Sequence, residues 1–337
     1  MMQKIVVTQP IHEAVLARLQ SAGEVVMNPG PEPWSEDELY RQLKDADAMM
    51  AFMPDRVDQR TLLNAPRLKT IACALKGYDN FDLKACNQAG VSVSFVPDLL
   101  TEPTAELAIG LAIAAARHVL AGDTSVRSGY AGWRPQLYGT GLQGSVVSII
   151  GLGAVGRAIV DRLCGFGCAQ LLGVDPHGND ERLTMVSLGE ALSRSDYVML
   201  AVPLLEMTRH LINETALAGV RPGQIMVNIG RGSVVDEAAV ARALQDGRLG
   251  AYAADVYELE DWLLADRPRH IDPELLRHPA TVFTPHIGSA VKKVRLAIEM
   301  RAAENLLQAL EGRDPQNLDL ALHEPVRLPA SNSHVLR

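Results

Sequence analysis

The chain has 337 residues, which at about 100 to 200 residues per domain implies two domains, each large enough for its own core. Hydrophobic residues make up 47% of it and aromatics only 4%, so the core is aliphatic, as layered α/β folds require. A formal charge of −8 and a pI near 5.6 exclude a general electrostatic attraction to nucleic acid or acidic membranes, while leaving room for a local basic pocket.

The opening "MMQKIVVTQP" runs straight into a strand-like segment with no secretory h-region, and no stretch is long enough to span a bilayer, so a cytoplasmic protein is expected. Short β-branched runs then alternate with amphipathic ones: "KIVVTQ", "IHEAVLARLQSAG", "GEVVMN", "SEDELYRQLKDADAMMAFM". That rhythm is the βαβ signal of a parallel sheet covered by helices. "LKTIACAL" reads as a buried strand and empties into "KGYDNFD", where glycine and Asp-Asn mark a tight turn. Lys76, at the start of that turn, is either a snorkelling surface residue or a cation aimed at an anion. The first unit closes near "VSVSFVPDLL". A long helix follows in "TEPTAELAIGLAIAAARHVLAGD", opened by Thr104 with Glu106 in its first turn; it is so apolar all round that it should pack between domains or subunits.

A second α/β unit begins at residue 144 with "SVVSIIGLGAVGRAIVDRL". A strand ends in Gly151, Gly153 and Gly156 and passes directly into a helix. The first glycine permits the turn, the second lets the backbone approach a pyrophosphate, and the third lets helix and strand pack closely. The helix N-terminus, with Ala154 and Val155, offers free N–H groups to the phosphates. Nineteen residues after Gly156 an apolar run ends at Asp175, placed to accept from a ribose 2′-hydroxyl and to repel a 2′-phosphate. The expected cofactor is NAD.

Downstream, "MVNIGRGSVVDEAAVARAL" puts Ile229, Gly230 and Arg231 after a strand end and before a helix that Asp236 can cap. Ligands of parallel sheets bind beyond the carboxyl ends of the strands, and arginine's fork suits an oxyanion. "GAYAADVYELEDW" delivers Asp255, Glu258 and Glu260, and "ATVFTPHIGSA" delivers His286 and Gly288. A histidine there, with a carboxylate to fix its tautomer and raise its basicity, can act as a general base. The last helix, roughly 290–312, is stopped by Gly312 and should cross back to complete the small first unit; the Pro-containing tail after Asp314 reads as an irregular arm. Cys73, Cys86, Cys164 and Cys168 form no CxxC pair, so reduced buried thiols are expected and no metal site.

"GLGAVG", "NIGRGSVVDE", "DVYELE" and "TPHIGS" resemble, in order and spacing, the NAD-dependent D-2-hydroxyacid dehydrogenase superfamily over nearly the whole chain. The resemblance implies two Rossmann-like, doubly wound parallel-sheet α/β domains, with an NAD domain at 99–289 inserted in a substrate domain made of 1–98 and 290–337. It implies a homodimer. It gives Arg231, Glu260 and His286 as the catalytic arginine, acid and histidine; Glu258 competes for the acid, and Glu260 is preferred because it lies 29 residues after Arg231. Cofactor contacts are expected from Thr104, the Gly151–Gly156 turn, Asp175, Pro203, Ile229, Gly230, Arg231, Asp255, His286 and Gly288.

The chain departs from that superfamily's G-x-G-x-D-N substrate loop, losing the first glycine and gaining Lys76 before Gly77. It carries "AMMAFMPDRVD" upstream, "LYGTGL" in the middle and Arg295 on the returning helix. Together these resemble one subgroup, the phosphite (phosphonate) dehydrogenases, whose small-molecule substrate is phosphite. A phosphite dianion held away from water needs nearby cations, since a poorly compensated buried anion costs several kcal/mol. Lys76, Arg231 and Arg295 would supply them, with Met53 and Leu100 as apolar walls; His286, or Arg231 acting indirectly, would help deprotonate the attacking water. Tyr138, Thr104 and Trp133 are further candidates to line the site, each equally readable as packing. The alternatives are a D-2-hydroxyacid dehydrogenase or glyoxylate/hydroxypyruvate reductase, and a non-catalytic NAD-sensing protein.

Overall fold

A computed structural model describes residues 2–133 and 136–315. The chain divides into two compact units, one taking the residues up to Leu99 and those from Lys292 onward, the other Leu100–Val291. The arm expected in the tail lies, from residue 316, outside the described residues.

The first unit alternates strand and helix: β1 Gln3–Val7, α1 Glu13–Gln20, β2 Gly23–Met27, α2 Glu36–Leu43, β3 Ala48–Ala51, α3 Gln59–Leu63, β4 Thr70–Cys73, α4 Leu83–Gln88 and β5 Ser92–Ser94. The five strands are parallel, in the order β2-β1-β3-β4-β5. They are short and apolar because both faces are covered, and Ile5, Met49, Met50 and Ile71 are fully buried. "SEDELYRQLKDADAMMAFM" is not one amphipathic element: Ser35 caps α2 by accepting from Glu38 N, the helix stops at Leu43, and "AMMA" is β3. Asp58 and Asp82 cap α3 and α4 in the same way.

The second unit runs α5 Thr101–Ala116, α6 Val119–Arg127, β6 Val146–Ile150, α7 Ala154–Leu163, β7 Gln170–Val174, β8 Thr184–Met185, α8 Leu188–Arg194, β9 Tyr197–Leu200, α9 Glu214–Ala218, β10 Gln224–Asn228, α10 Glu237–Gln245, β11 Leu249–Ala254, α11 Pro273–Arg277 and β12 Thr281–Phe283. Its seven parallel strands are ordered β12-β11-β10-β9-β6-β7-β8. The order reverses between β9 and β6, the switch point where ligands of open sheets bind. The apolar helix α5 packs on α7, β10 and β11, so its burial is accounted for inside this unit. It begins three residues earlier than its sequence suggests: Thr104 is no cap but an interior residue whose hydroxyl donates to Leu100 O.

Finally α12, Lys292–Leu310, returns to the first unit and lies on α1, β3, β4 and β5, burying Ile298, Ala302 and Leu306. Burial of a leucine or isoleucine contributes about 1.5 to 3 kcal/mol, so this helix supplies much of that small unit's core. Two of the cysteines, Cys73 and Cys86, are buried free thiols, but Cys164 is exposed and Cys168 half-buried, because the turn that ends α7 faces outward. Among the described residues no single helix is long and apolar enough to cross a membrane.

Candidate active site

The glycine-rich turn leaves β6 at its carboxyl end. Gly151 has φ +95°, and a Cβ there would come within 3.0 Å of the Ala201 carbonyl. A Cβ on Gly156 would collide with the Gly151 carbonyl, which brings helix and turn together. At Gly153, by contrast, a Cβ would meet nothing within 4 Å. That residue is also the N-cap of α7 with no side-chain cap, unlike α8, α9, α10 and α11, which Ser187, Asn213, Asp236 and Asp272 cap. An open, uncapped helix N-terminus beside a glycine is what a pyrophosphate requires. Ala154 and Val155 form its first turn, and Gly230 presses on the Val202 carbonyl just before Pro203.

Asp175 follows β7. Its Oδ2 accepts from Leu152 N at 2.7 Å and its Oδ1 from His177 N and Gly178 N at 2.8 and 2.5 Å. Burial would raise its pKa, but these three N–H donors outweigh it and hold the carboxyl below its ordinary value. A charged acid at this position fits a ribose hydroxyl of NAD. The residues therefore fit the cofactor.

The chemistry-bearing side chains come from the next turns. His286 adopts φ +54°, left-handed and uncommon outside glycine, and its Nδ1 lies 2.8 Å from Glu260 Oε2. With Glu260 ionised, Nδ1–H donates to it and Nε2 is left to exchange a proton with a reactant. The strained loop is held by buried Asp255, whose carboxylate accepts from Thr284 Oγ1 at 2.6 Å and from Ile287 N and Gly288 N at 2.8 Å each. Burial raises the Asp255 pKa, and these donors work against it. Asp255, expected as a cofactor contact, thus spends its oxygens on the histidine loop. Gly288 brings that loop against Thr104: a Cβ there would lie 3.1 Å from Thr104 Oγ1 and 3.2 Å from Asp255 Oδ2.

Arg231 follows β10, its backbone carbonyl accepting from Asn228 Nδ2 at 2.9 Å and its Nη1 donating to Gly230 O at 2.8 Å. Ile229, buried beneath it, bonds to Leu200 O. Gly232 lets this turn press against the next, since a Cβ there would overlap the Tyr257 carbonyl carbon. Glu258 does not reach His286; its carboxylate pairs with His210 Nε2 at 2.9 Å.

In the other unit, the loop after β4 carries Lys76 and Gly77. Asn80, buried at its end, donates from Nδ2 to Met53 O at 3.1 Å, while Val57 N donates to Asn80 O, so the loop is tied to the Met53 loop after β3. Arg295 on α12 donates to Ala74 O at 3.4 Å, two residues before Lys76, and its guanidinium carbon lies 6.0 Å from the Phe52 ring centroid. Burial lowers the Arg295 pKa and Glu299 raises it. Glu299, buried on the same helix, takes both the backbone N–H and ring Nδ1 of His12, at 3.0 and 2.7 Å. The Met53 loop rests on Asp55, which accepts from Phe52 N at 2.7 Å and from Thr8 Oγ1, and whose carboxyl burial pushes up to about 6.

Tyr138 and Trp133 are exposed residues of the stretch after α6. Tyr138 is 78% and Trp133 76% exposed, and the Tyr138 carbonyl lies 3.3 Å from His118 Nε2 after α5. The helix before them, α6, likewise buries none of its residues. Leu100 sits half-buried at the start of α5. Sequence reasoning missed His12, Asp55, His210, Glu237 and Glu299, each an ordinary polar residue in a helical or loop pattern whose partner lies far along the chain. Among the described residues no group of three or more His, Cys, Asp or Glu is placed to hold a metal.

Residues 109–288 match the family described as D-isomer specific 2-hydroxyacid dehydrogenase, NAD binding domain. A glyoxylate reductase of Pyrococcus furiosus is 35% identical over 94% of this chain and 95% of its own. Among solved structures, the TT0316 protein of Thermus thermophilus superposes with a TM-score of 0.85 at 33% identity, covering 94% of this chain and 99% of that one. A glyoxylate reductase from Paecilomyes thermophila gives 0.81 at 27% identity, covering 94% and 98%.

Proposed function

The chain belongs to the D-isomer specific 2-hydroxyacid dehydrogenase family, and within that family we propose that it oxidises phosphite to phosphate with NAD. The family makes it an NAD-dependent oxidoreductase; the substrate is our reading. One observation carries it: Arg295 reaches the carboxyl end of β4 two residues from Lys76, so the substrate unit itself brings two cations to one loop. A 2-oxo or 2-hydroxy acid carries a single carboxylate, whereas phosphite near neutral pH is largely a dianion, whose desolvation needs more positive charge.

Bound NAD supplies the hydride acceptor. In the substrate unit Lys76 and Arg295 would offset the charge of the phosphite oxygens, with Met53 an apolar residue on the loop tied to that of Lys76, and Arg231 is the arginine that the family motif assigns to the chemistry. The P–H bond breaks with its electron pair leaving as hydride, a P–O bond forms from water, and the proton that water sheds goes to His286 Nε2. Glu260, 2.8 Å from the other ring nitrogen, holds the tautomer and stabilises the imidazolium.

A second reading has its own support. Curated relatives at 33–35% identity, named glyoxylate reductases, favour reduction of a 2-oxo acid, and taken alone they favour it over phosphite. The same residues serve it, with Arg231 on the carboxylate and His286 giving a proton to the carbonyl oxygen. The test uses two arms. Protein, NAD and phosphite should generate NADH absorbance faster than glyoxylate or hydroxypyruvate consumes it. Turnover of a 2-oxo acid with none of phosphite would overturn the proposal in favour of the second reading.

A further inference from the structure

Two buried carboxylates in the nucleotide unit take no part in that chemistry. Glu237 opens α10 and Glu258 opens the short turn Glu258–Glu260; they are 4% and 9% exposed. They staple one another reciprocally. Glu237 N donates to Glu258 Oε1 at 2.9 Å, and Glu258 N donates to Glu237 Oε1 at 2.9 Å. The second oxygens reach outward, Glu237 Oε2 accepting from Asp272 N at 3.3 Å and Glu258 Oε2 lying 2.9 Å from His210 Nε2.

Apolar side chains of similar size would fill this space at less desolvation cost, so packing does not explain two buried acids. What they add is geometry. His210 is itself held in a left-handed conformation, φ +47°, by its N–H donating to Ser233 O at 2.7 Å. Ser233 N in turn donates to Asp261 Oδ2 at 2.7 Å, and Gly232 admits Tyr257 against the Arg231 turn. The Ser233–Asp261 bond and the Gly232–Tyr257 approach join the turn bearing Arg231 directly to the turn bearing Glu260, His210 bridges the two through Ser233 and Glu258, and the Glu237–Glu258 staple ties α10 to the Glu260 turn. Glu260 is two residues from Glu258, on a short turn whose own backbone bonds run from Glu260 N to Tyr257 O at 3.0 Å, from Asp261 N to Glu258 O at 3.3 Å and from Trp262 N to Glu260 O at 3.0 Å.

We propose that Glu258, gripped by Glu237 and His210, is a positioning residue that sets where the Glu260 carboxylate meets His286, and that it does so by hydrogen-bond reach rather than by charge. This rests on the reading of Glu260 and His286 as the working pair. It does not depend on whether phosphite or a 2-oxo acid is the substrate.

Reach and charge are separated by two substitutions. Glu258→Gln keeps the length and an oxygen for Glu237 N–H, and its amide can donate to neutral His210; Glu258→Asp keeps the charge but withdraws it by one methylene. With whichever of the two assays the wild type turns over, Glu258→Asp should lose about 10²-fold in kcat, as a displaced catalytic group does, with KM for the nucleotide unchanged. Glu258→Gln should restore kcat to within a few-fold of wild type. Nucleotide binding, followed by NADH fluorescence, keeps both variants interpretable as folded proteins, and Glu258→Ala serves as the full deletion. An aspartate variant as fast as wild type beside a slow glutamine variant would make charge the agent and overturn the proposal; so would equal rates in all three. Glu260→Ala and His286→Ala are the controls: if either kept the wild-type kcat, the pair itself would be misread, a result separate from any ranking of the Glu258 variants.

Discussion

Lys76 has two possible fates by sequence, and the structure places it on a loop whose other ties are specific. Asn80 fastens the loop to Met53, and Arg295 bonds its approach at Ala74. If Lys76 supplies binding charge, Lys76→Ala should raise KM for phosphite by about 10²-fold, the cost of one charge-assisted hydrogen bond of 2 to 3 kcal/mol, with a smaller effect on kcat. Unchanged KM and kcat in steady-state assays would remove Lys76 from the substrate account. His286→Ala belongs to the other limb of the chemistry. It should lower kcat by about 10²- to 10⁴-fold, the usual worth of a positioned general base, while NAD binding persists.

At the scale of elements, the site is built from turns at the carboxyl ends of parallel strands, and each turn is held by a device that sequence spacing alone does not announce. Asp255 is one. Replacing it by alanine leaves the N–H groups of Ile287 and Gly288 without their acceptor, which at about 1 to 3 kcal/mol for each unsatisfied donor should cost roughly 2 to 6 kcal/mol in urea unfolding. Left-handed His286 would then keep its own N–H bond to Thr284 O and its ring bond to Glu260 on a loop that has lost its anchor, so kcat should fall with stability. Gly232 is the second device. Its Cβ would overlap the Tyr257 backbone, so Gly232→Ala should shift the Arg231 turn, cost about 1 to 3 kcal/mol as overpacking does, and depress kcat more than KM for NAD. A Gly232→Ala enzyme with wild-type Tm and kcat would contradict that close approach.

For the whole molecule, buried acids give stability a pH dependence of definite sign. Burial raises the Glu237 carboxyl from its ordinary 4.5 to about 7, against the backbone donors of Glu258 and Asp272. Between those values the folded chain holds a proton that the unfolded chain has released, so stability falls as pH rises from about 4.5 to 7. Asp55, raised to about 6, tilts the same way over the lower part of the window. Glu237 contributes on the order of 3 kcal/mol to that fall across the window, and a Glu237→Gln variant should flatten it in chemical denaturation series. A variant with the wild-type slope would show that Glu237 is ionised throughout.

The β-branched runs, the glycine turn followed by a helix, and the acid closing β7 were all legible in the sequence, because each depends on neighbours within a few residues: strand period, φ freedom and helix capping are local physics. So was the distance from Arg231 to Glu260, through its resemblance to known motifs. The start of α5 was misplaced because Thr104 imitates a cap while its hydroxyl bonds within the helix. Tyr138 stands exposed, and nothing local in the sequence tells a surface tyrosine from one lining a site. The assignment of Glu260 to His286 and Glu258 to His210, the reciprocal bonds of Glu258 with Glu237, the grip of Asp255 on residues 284–288, and the approach of Arg295 to Ala74 join residues 21 to 221 positions apart. Only tertiary structure decided those, since a buried carboxylate takes whichever donors the packed strands and the returning helix α12 bring within bonding reach.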